Sequence, residues 1–194
     1  MSFADTDYAS DSGMLTAVWG PALWHTLHTI SFNYPVAPDA ATQRRYRRFL
    51  LSLRRVLPCR HCRENYASNL RDSGFGKHVL ASRDAFSRFV FDLHERVNTM
   101  LGKTSGLTYA RVRDRYENFR SRCLHDPTEA HCQRTPAGAP VDVDNPGARE
   151  KGCTEPLYGK KSKCLIRIVP KESEHRTFAM DRQCRVRKGG AGGS

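Results

Sequence analysis

Residues 49–66 read FLLSLRRVLPCRHCRENY and place two cysteines, Cys59 and Cys62, two residues apart just after a proline. A thioredoxin-type domain sets such a pair between a β-strand and a helix. Here Phe49, Leu50 and Leu53 precede the pair at helical spacing, with no strand-like alternation. The pair therefore lies between two helices, the first stopped by Pro58, and the segment argues for an all-α fold.

Working outward, Leu23, Leu27, Ile30 and Tyr34 mark one face of a helix that Pro35 ends. Asp39 is positioned to cap a second, with Tyr46, Phe49, Leu50 and Leu53 as its apolar stripe and the arginines between 44 and 55 as its wet face. A third starts at the cysteine pair and runs through Tyr66 and Leu70 to Gly74 and Gly76. The fourth has Ser82 as cap, Asp84 in its first turn, a stripe of Phe86, Phe89, Val90, Leu93, Val97, Met100 and Leu101, and Gly102 as terminator. A fifth, from Thr108 to about Arg122, carries Val112, Tyr116 and Phe119. Short connections make these a compact helical bundle.

The 194 residues carry a net charge of +12, which favours acidic partners: nucleic acid, anionic lipid or the phosphates of a nucleotide cofactor. Residues 1–17 are a polar, flexible amino-terminal stretch without the basic and apolar regions of a signal peptide, and no run approaches the length of a membrane span. A cytoplasmic protein is the expectation. After Cys123, residues 124–150 are rich in Pro, Gly, Ala and Asp and read as a linker. Residues 151–188 form a cysteine-bearing module in which CLIRIVP (164–170) and TFAMDRQCRVR (177–187) alternate as a small hairpin would, and 189–194 are a flexible tail.

Clustered thiols in a reducing compartment point to metal binding or redox chemistry. A structural zinc site pairs one C-x-x-C with a second ligand pair about 12 to 20 residues away, whereas the next cysteine after Cys62 is Cys123. A structural disulfide inside the pair would close a tiny loop and remove little unfolded-state entropy. Redox use fits better: a helix start supplies free amides and the positive end of the dipole, Arg60 and Arg63 add charge, and all three favour thiolate.

Four ordered stretches then carry a resemblance: WGPALWHTLHTISFNYP (19–35), LPCRHCRENY (57–66), FVFDLHERVNTMLGK (89–103) and RVRDRYENF (111–119). They are similar to the signatures of the Erv/ALR family of FAD-dependent sulfhydryl oxidases, over a domain of residues 18–123, and the cysteine-bearing tail resembles forms encoded by large DNA viruses. The resemblance implies a four-helix bundle plus a short fifth helix enclosing FAD, usually as a homodimer. It implies electron flow from reduced protein thiols to the C-x-x-C, then to flavin and to O2, giving hydrogen peroxide. Cys62 would lie against the flavin and Cys59 would exchange with substrate. Gly20, Trp24, His28, Tyr34, His94, Asn98, Lys103 and Tyr116 match cofactor positions, and no metal is implied. Trp24 and His28 are four apart, as are His94 and Asn98, so each pair shares one helical face.

Departures are visible. Relatives often bond an amino-terminal cysteine to one after the fifth helix, and this chain has none before Cys59. Any shuttle pair must come from Cys123, Cys132, Cys153, Cys164 and Cys184. Cys153 and Cys164 flank a short loop, a spacing that suits a structural staple more than an electron relay. With the viral look of the tail, the compartment expected is the cytoplasm of an infected cell, or the virion. The alternative function is a basic nucleic-acid-binding module with a zinc-binding, cysteine-rich tail; it leaves the placement of Trp24, His94 and Asn98 unexplained.

Overall fold

A computed structural model describes residues 4–9, 13–124, 152–157, 165–166, 168–170, 172–174 and 178–179. After the one-turn helix α1 (Asp5–Tyr8), four long helices follow: α2 (Thr16–Phe32), α3 (Ala40–Val56), α4 (Arg60–Asp72) and α5 (Arg83–Met100). Helix α2 starts ahead of Gly20 and runs through Pro21, whose missing N–H leaves the Ala17 carbonyl without its helical donor. It ends at Phe32, so Tyr34 is not on its face; the ring is fully buried in the core instead.

The caps read from sequence are present. Asp39 accepts from the Thr42 amide at 2.6 Å and Ser82 from the Ala85 amide at 3.1 Å, each satisfying an orphan donor of its helix. Ser82→Ala is expected to destabilise the protein by about 1 kcal/mol in denaturant titration, the usual cost of losing such a cap. Gly102 follows α5 with φ of 65°, a conformation that stops a helix at low cost only for glycine.

Helix α2 packs on α5, α3 on α4, and α4 on α5. Leu27, Leu50, Leu53, Tyr66, Leu70, Phe86, Phe89 and Leu93 fill the space between them, and the short 3-10 turn Lys77–Leu80 adds Val79 and Leu80. The arginines of α3 are exposed, as its stripe requires. Two predicted stripes overreach. Phe49 is 36% exposed, and Met100 and Leu101, at and just beyond the end of α5, are 48% and 54% exposed.

The chain divides into two compact units between Arg113 and Asp114, within α6 (Tyr109–Glu117). In the first unit, Tyr109 fixes the start of α6: its hydroxyl is 2.8 Å from Ser87 Oγ, its ring lies under the Arg88 guanidinium at 4.1 Å, and it stacks on Phe32 at 6.2 Å. In the second unit the fifth helix ends at Glu117, short of the predicted Arg122. Residues beyond it form β1 (Ser121–Leu124), antiparallel to β2 (Gly152–Pro156), and Leu157 N–H donates to the Arg120 carbonyl at 2.8 Å. A pairing with residues so far along the chain leaves no local periodicity to read. The hairpin expected further on is present as Leu165–Ile166 (β3) against Phe178–Ala179 (β4). The linker expected at 124–150 and the tail at 189–194 lie outside the described residues, apart from the backbone of Leu124.

Candidate functional site

Cys59 is the N-cap of α4. Its extended backbone (φ −160°, ψ 124°) turns the sulfur back to accept from the Cys62 amide at 3.2 Å, the role a serine or aspartate oxygen plays at other helix starts. Cys62, in the first turn, packs against the rim of the hydrophobic core. This splits the two thiols electronically. The Cys59 thiol is held below its ordinary range, first by a hydrogen bond from Cys62 and further by the Cys62 and His61 amides and the Thr16 hydroxyl. Burial pushes the Cys62 thiol up, with its bond to Cys59 adding to the effect and Thr16 opposing it.

The expectation that both sulfurs are driven toward thiolate therefore holds for Cys59 alone. Nor do the arginines set the difference: Arg63 donates through Nη1 to the Leu57 carbonyl at 2.9 Å, closing the turn before the helix, and Arg60 is exposed. What the pair can do is thiol–disulfide exchange with unequal partners, one sulfur half-exposed and stabilised as thiolate, the other set against the core.

Residues 13–16, within the amino-terminal stretch expected to be flexible, lie on this pair. Gly13 makes an isolated antiparallel bridge to Cys59, Met14 N–H donates to the Pro58 carbonyl at 2.6 Å, and Trp19 Nε1 donates to the Met14 carbonyl at 3.0 Å. Gly13 has φ of 90°, and a Cβ there would sit 2.3 Å from the Pro58 oxygen, so only glycine fits. Thr16 Oγ1 is thereby placed 3.9 Å from Cys62 Sγ. Only the small residue Gly13 hinted at this close approach.

On the α2 and α5 faces, Trp24 and His94 stack in parallel, with centroids 4.1 Å apart and planes 6° apart. His28 Nε2 is 3.1 Å from His94 Nδ1. Burial lowers the His94 imidazole's affinity for a proton, so it is held neutral. Asn98, one turn on, donates to Glu95 Oε1 at 2.9 Å, and its carbonyl accepts from the Lys103 amide at 2.8 Å. Of the expected cofactor residues, then, Trp24, His28 and His94 come together as one ring cluster, with Asn98 next along α5. Gly20 is buried on α2, and Lys103 is exposed.

Tyr34 stands in the core, its hydroxyl bonded to the Leu80 carbonyl at 2.9 Å and its ring edge-on to Tyr46 and Phe86. Tyr116 belongs to the second unit, where it meets Phe119 edge-on at 5.5 Å. Cys153 is exposed on β2; Cys132, Cys164 and Cys184 and the Cys123 side chain lie outside the described residues. Among the described residues, no group of three or more His, Cys, Asp or Glu converges as a metal site, and no helix is long and apolar enough to cross a membrane.

A four-helix bundle whose third long helix is capped by the first cysteine of a C-x-x-C pair defines a helical dithiol protein. The Erv1/Alr family model matches residues 21–117, half of the chain, and the chain belongs to that family. It is 38% identical over 91 residues to the "Probable FAD-linked sulfhydryl oxidase" of Acanthamoeba polyphaga mimivirus, covering 47% of this chain and 63% of that protein. It is 31% identical over 84 residues to the FAD-linked sulfhydryl oxidase ERV1 of Arabidopsis thaliana, covering 43% and 42%. The chain thus spans less than two thirds of both relatives. The crystal structure of the FAD binding domain of Erv1 from Saccharomyces cerevisiae has a similar fold, with a TM-score of 0.50 at 22% identity, over 54% of this chain and 96% of that one.

Proposed function

We propose that the protein is an FAD-linked thiol oxidase that forms disulfides in protein substrates through Cys59 and Cys62. The observation that carries this is the asymmetric pair. Cys59, half-exposed and favoured as thiolate, is the sulfur to be attacked and later released; Cys62, on the core rim, is the one that faces inward. Family membership and the names of the relatives support the same reading.

In the exchange, a substrate thiolate bonds to Cys59 Sγ as the Cys59–Cys62 bond breaks, and its electron pair leaves on Cys62 Sγ. A second substrate thiolate then attacks the first substrate sulfur and releases Cys59 as thiolate. The substrate gains a disulfide and the enzyme pair holds two electrons and their protons. A lowered Cys59 thiol makes it the better leaving group in the second step.

The ring cluster fits a planar heteroaromatic cofactor: Trp24 and His94 are half-buried and already parallel, the imidazole is neutral, and Asn98 adds an amide beside them. Trp24, His28, His94 and Asn98 would hold FAD, with Gly20, Tyr34, Lys103 and Tyr116 as the further family positions. When bound, FAD supplies the two-electron acceptor that returns the pair to disulfide and delivers the electrons to O2 as hydrogen peroxide. The domain boundaries read from sequence, an oxidase domain at 18–123 followed by linker, module and tail, belong to this proposal. So does pairing with a second copy, for which Phe49 and Val56, seven residues apart on α3, are exposed apolar candidates.

The test is the visible spectrum, metal content and solution mass of the purified full chain, together with oxygen consumption and peroxide release on dithiothreitol and on a reduced protein. Flavin absorbance, peroxide matched to thiol loss and a dimer mass are expected. Colourless protein with stoichiometric zinc and no oxygen uptake would overturn the reading in favour of the nucleic-acid-binding alternative.

A further inference from the structure

The amino-terminal clasp has no part in the exchange as so far described, yet it ends on the reacting sulfur. Three backbone-level contacts, the Gly13 bridge to Cys59, the Met14 amide on the Pro58 carbonyl and the Trp19 indole on the Met14 carbonyl, hold the chain where α2 begins. The result is a threonine hydroxyl 3.9 Å from Cys62 Sγ, contributed by a residue distant in sequence.

Cys62 needs such a donor. It must leave the disulfide carrying the electron pair, yet it sits on the apolar rim where burial opposes a charge, and its own helix amide is turned to Cys59. A hydroxyl can rotate to donate to a sulfur anion and to accept from a thiol, so it serves both states without rearrangement. We propose that Thr16 is a further catalytic residue of this chain, donating from Oγ1 to Cys62 Sγ when the disulfide opens and stabilising the thiolate that leaves. No atom is transferred in the contact: the S–S bond breaks, the new bond forms at Cys59, and Thr16 keeps its proton.

The inference rests on the thiol-oxidase reading for its catalytic meaning, and its test is kept independent of turnover. The reduced full chain is alkylated with iodoacetamide under anaerobic conditions, and the rate at Cys62 is read by peptide mass spectrometry against Cys153, exposed in the same chain, as internal standard. Thr16→Val is expected to slow Cys62 about tenfold relative to Cys153, the lower end of the scale of one hydrogen bond to a charged group, and Thr16→Ser to restore it. Thr16→Ala repeats the loss with a residue that suits a helix start, and a melting curve for each variant shows that the fold is intact. Equal Cys62 rates in the native, Val and Ala chains overturn the inference. Oxidase activity with Thr16-independent alkylation removes Thr16 alone; Thr16-dependent alkylation in a chain that consumes no oxygen removes the oxidase reading and leaves the thiol contact standing.

Discussion

Cys62→Ser is expected to fold, to retain FAD and to lose thiol oxidation by on the order of 1000-fold or more, the scale seen when a covalent nucleophile is removed. The substitution keeps size and polarity at a position half-buried against the core, so packing changes little. In the proposed exchange, what disappears is the sulfur that carries the electron pair. Cys59→Ser should be equally inactive for a different reason, because substrate has no sulfur to attack. Serine there can still accept from the Cys62 amide and cap α4, so its melting temperature should stay near that of the native chain. Initial rates with dithiothreitol, read as oxygen uptake, check both. Activity above one tenth of native in either variant would remove the pair from the mechanism.

His94→Ala should lower stability and cofactor retention together. The native imidazole stacks on Trp24 and bonds His28, so the variant loses a ring stack worth about 1 kcal/mol and takes a partner from a buried histidine, at about 1 to 3 kcal/mol. For a unit of this size the melting temperature should fall by about 10 °C. If these rings also hold FAD, the variant forfeits ligand stabilisation besides, about 2.7 kcal/mol at a hundredfold excess over the dissociation constant, and added FAD should restore part of it. Melting curves with and without added FAD separate the two contributions, and native flavin content with native melting would exclude His94 from the site.

The same residue sets a pH dependence. Burial lowers its folded pKa, so the unfolded chain binds a proton that the folded chain resists. That share of stability is complete above the unfolded value of about 6.5 and declines as the pH falls through it. His94→Ala should lack this share of the decline.

Much of the bundle was legible because its signals are local. Asp39 and Ser82 cap the helices they precede, Gly102 stops α5, and the stripe Phe86, Phe89, Val90 and Leu93 is buried. Legibility failed where a residue's role depends on what arrives from elsewhere. Tyr34 continues the spacing of α2, yet the helix stops at Phe32 and the ring turns into a pocket made by Tyr46, Phe86 and Leu80. Met100 and Leu101 keep the period of α5 but stand exposed at and just beyond its end. Ser121 and Arg122 fall at the expected end of the fifth helix, yet a strand from 152–156 pairs with them.

By itself the sequence determined the helical class, the starts of α3, α4 and α5, the stop of α5, and the position of a dithiol at the junction of α3 and α4, because spacing, capping and proline act within a few residues. Only the tertiary structure decided how unequal the two thiols are. That difference comes from a core rim that desolvates Cys62 and from a cap that turns Cys59 onto an amide, and a clasp at residues 13–16 that brings Thr16 to Cys62 works against it. Desolvation and hydrogen bonding depend on distance in space, and no spacing along the chain encodes that distance.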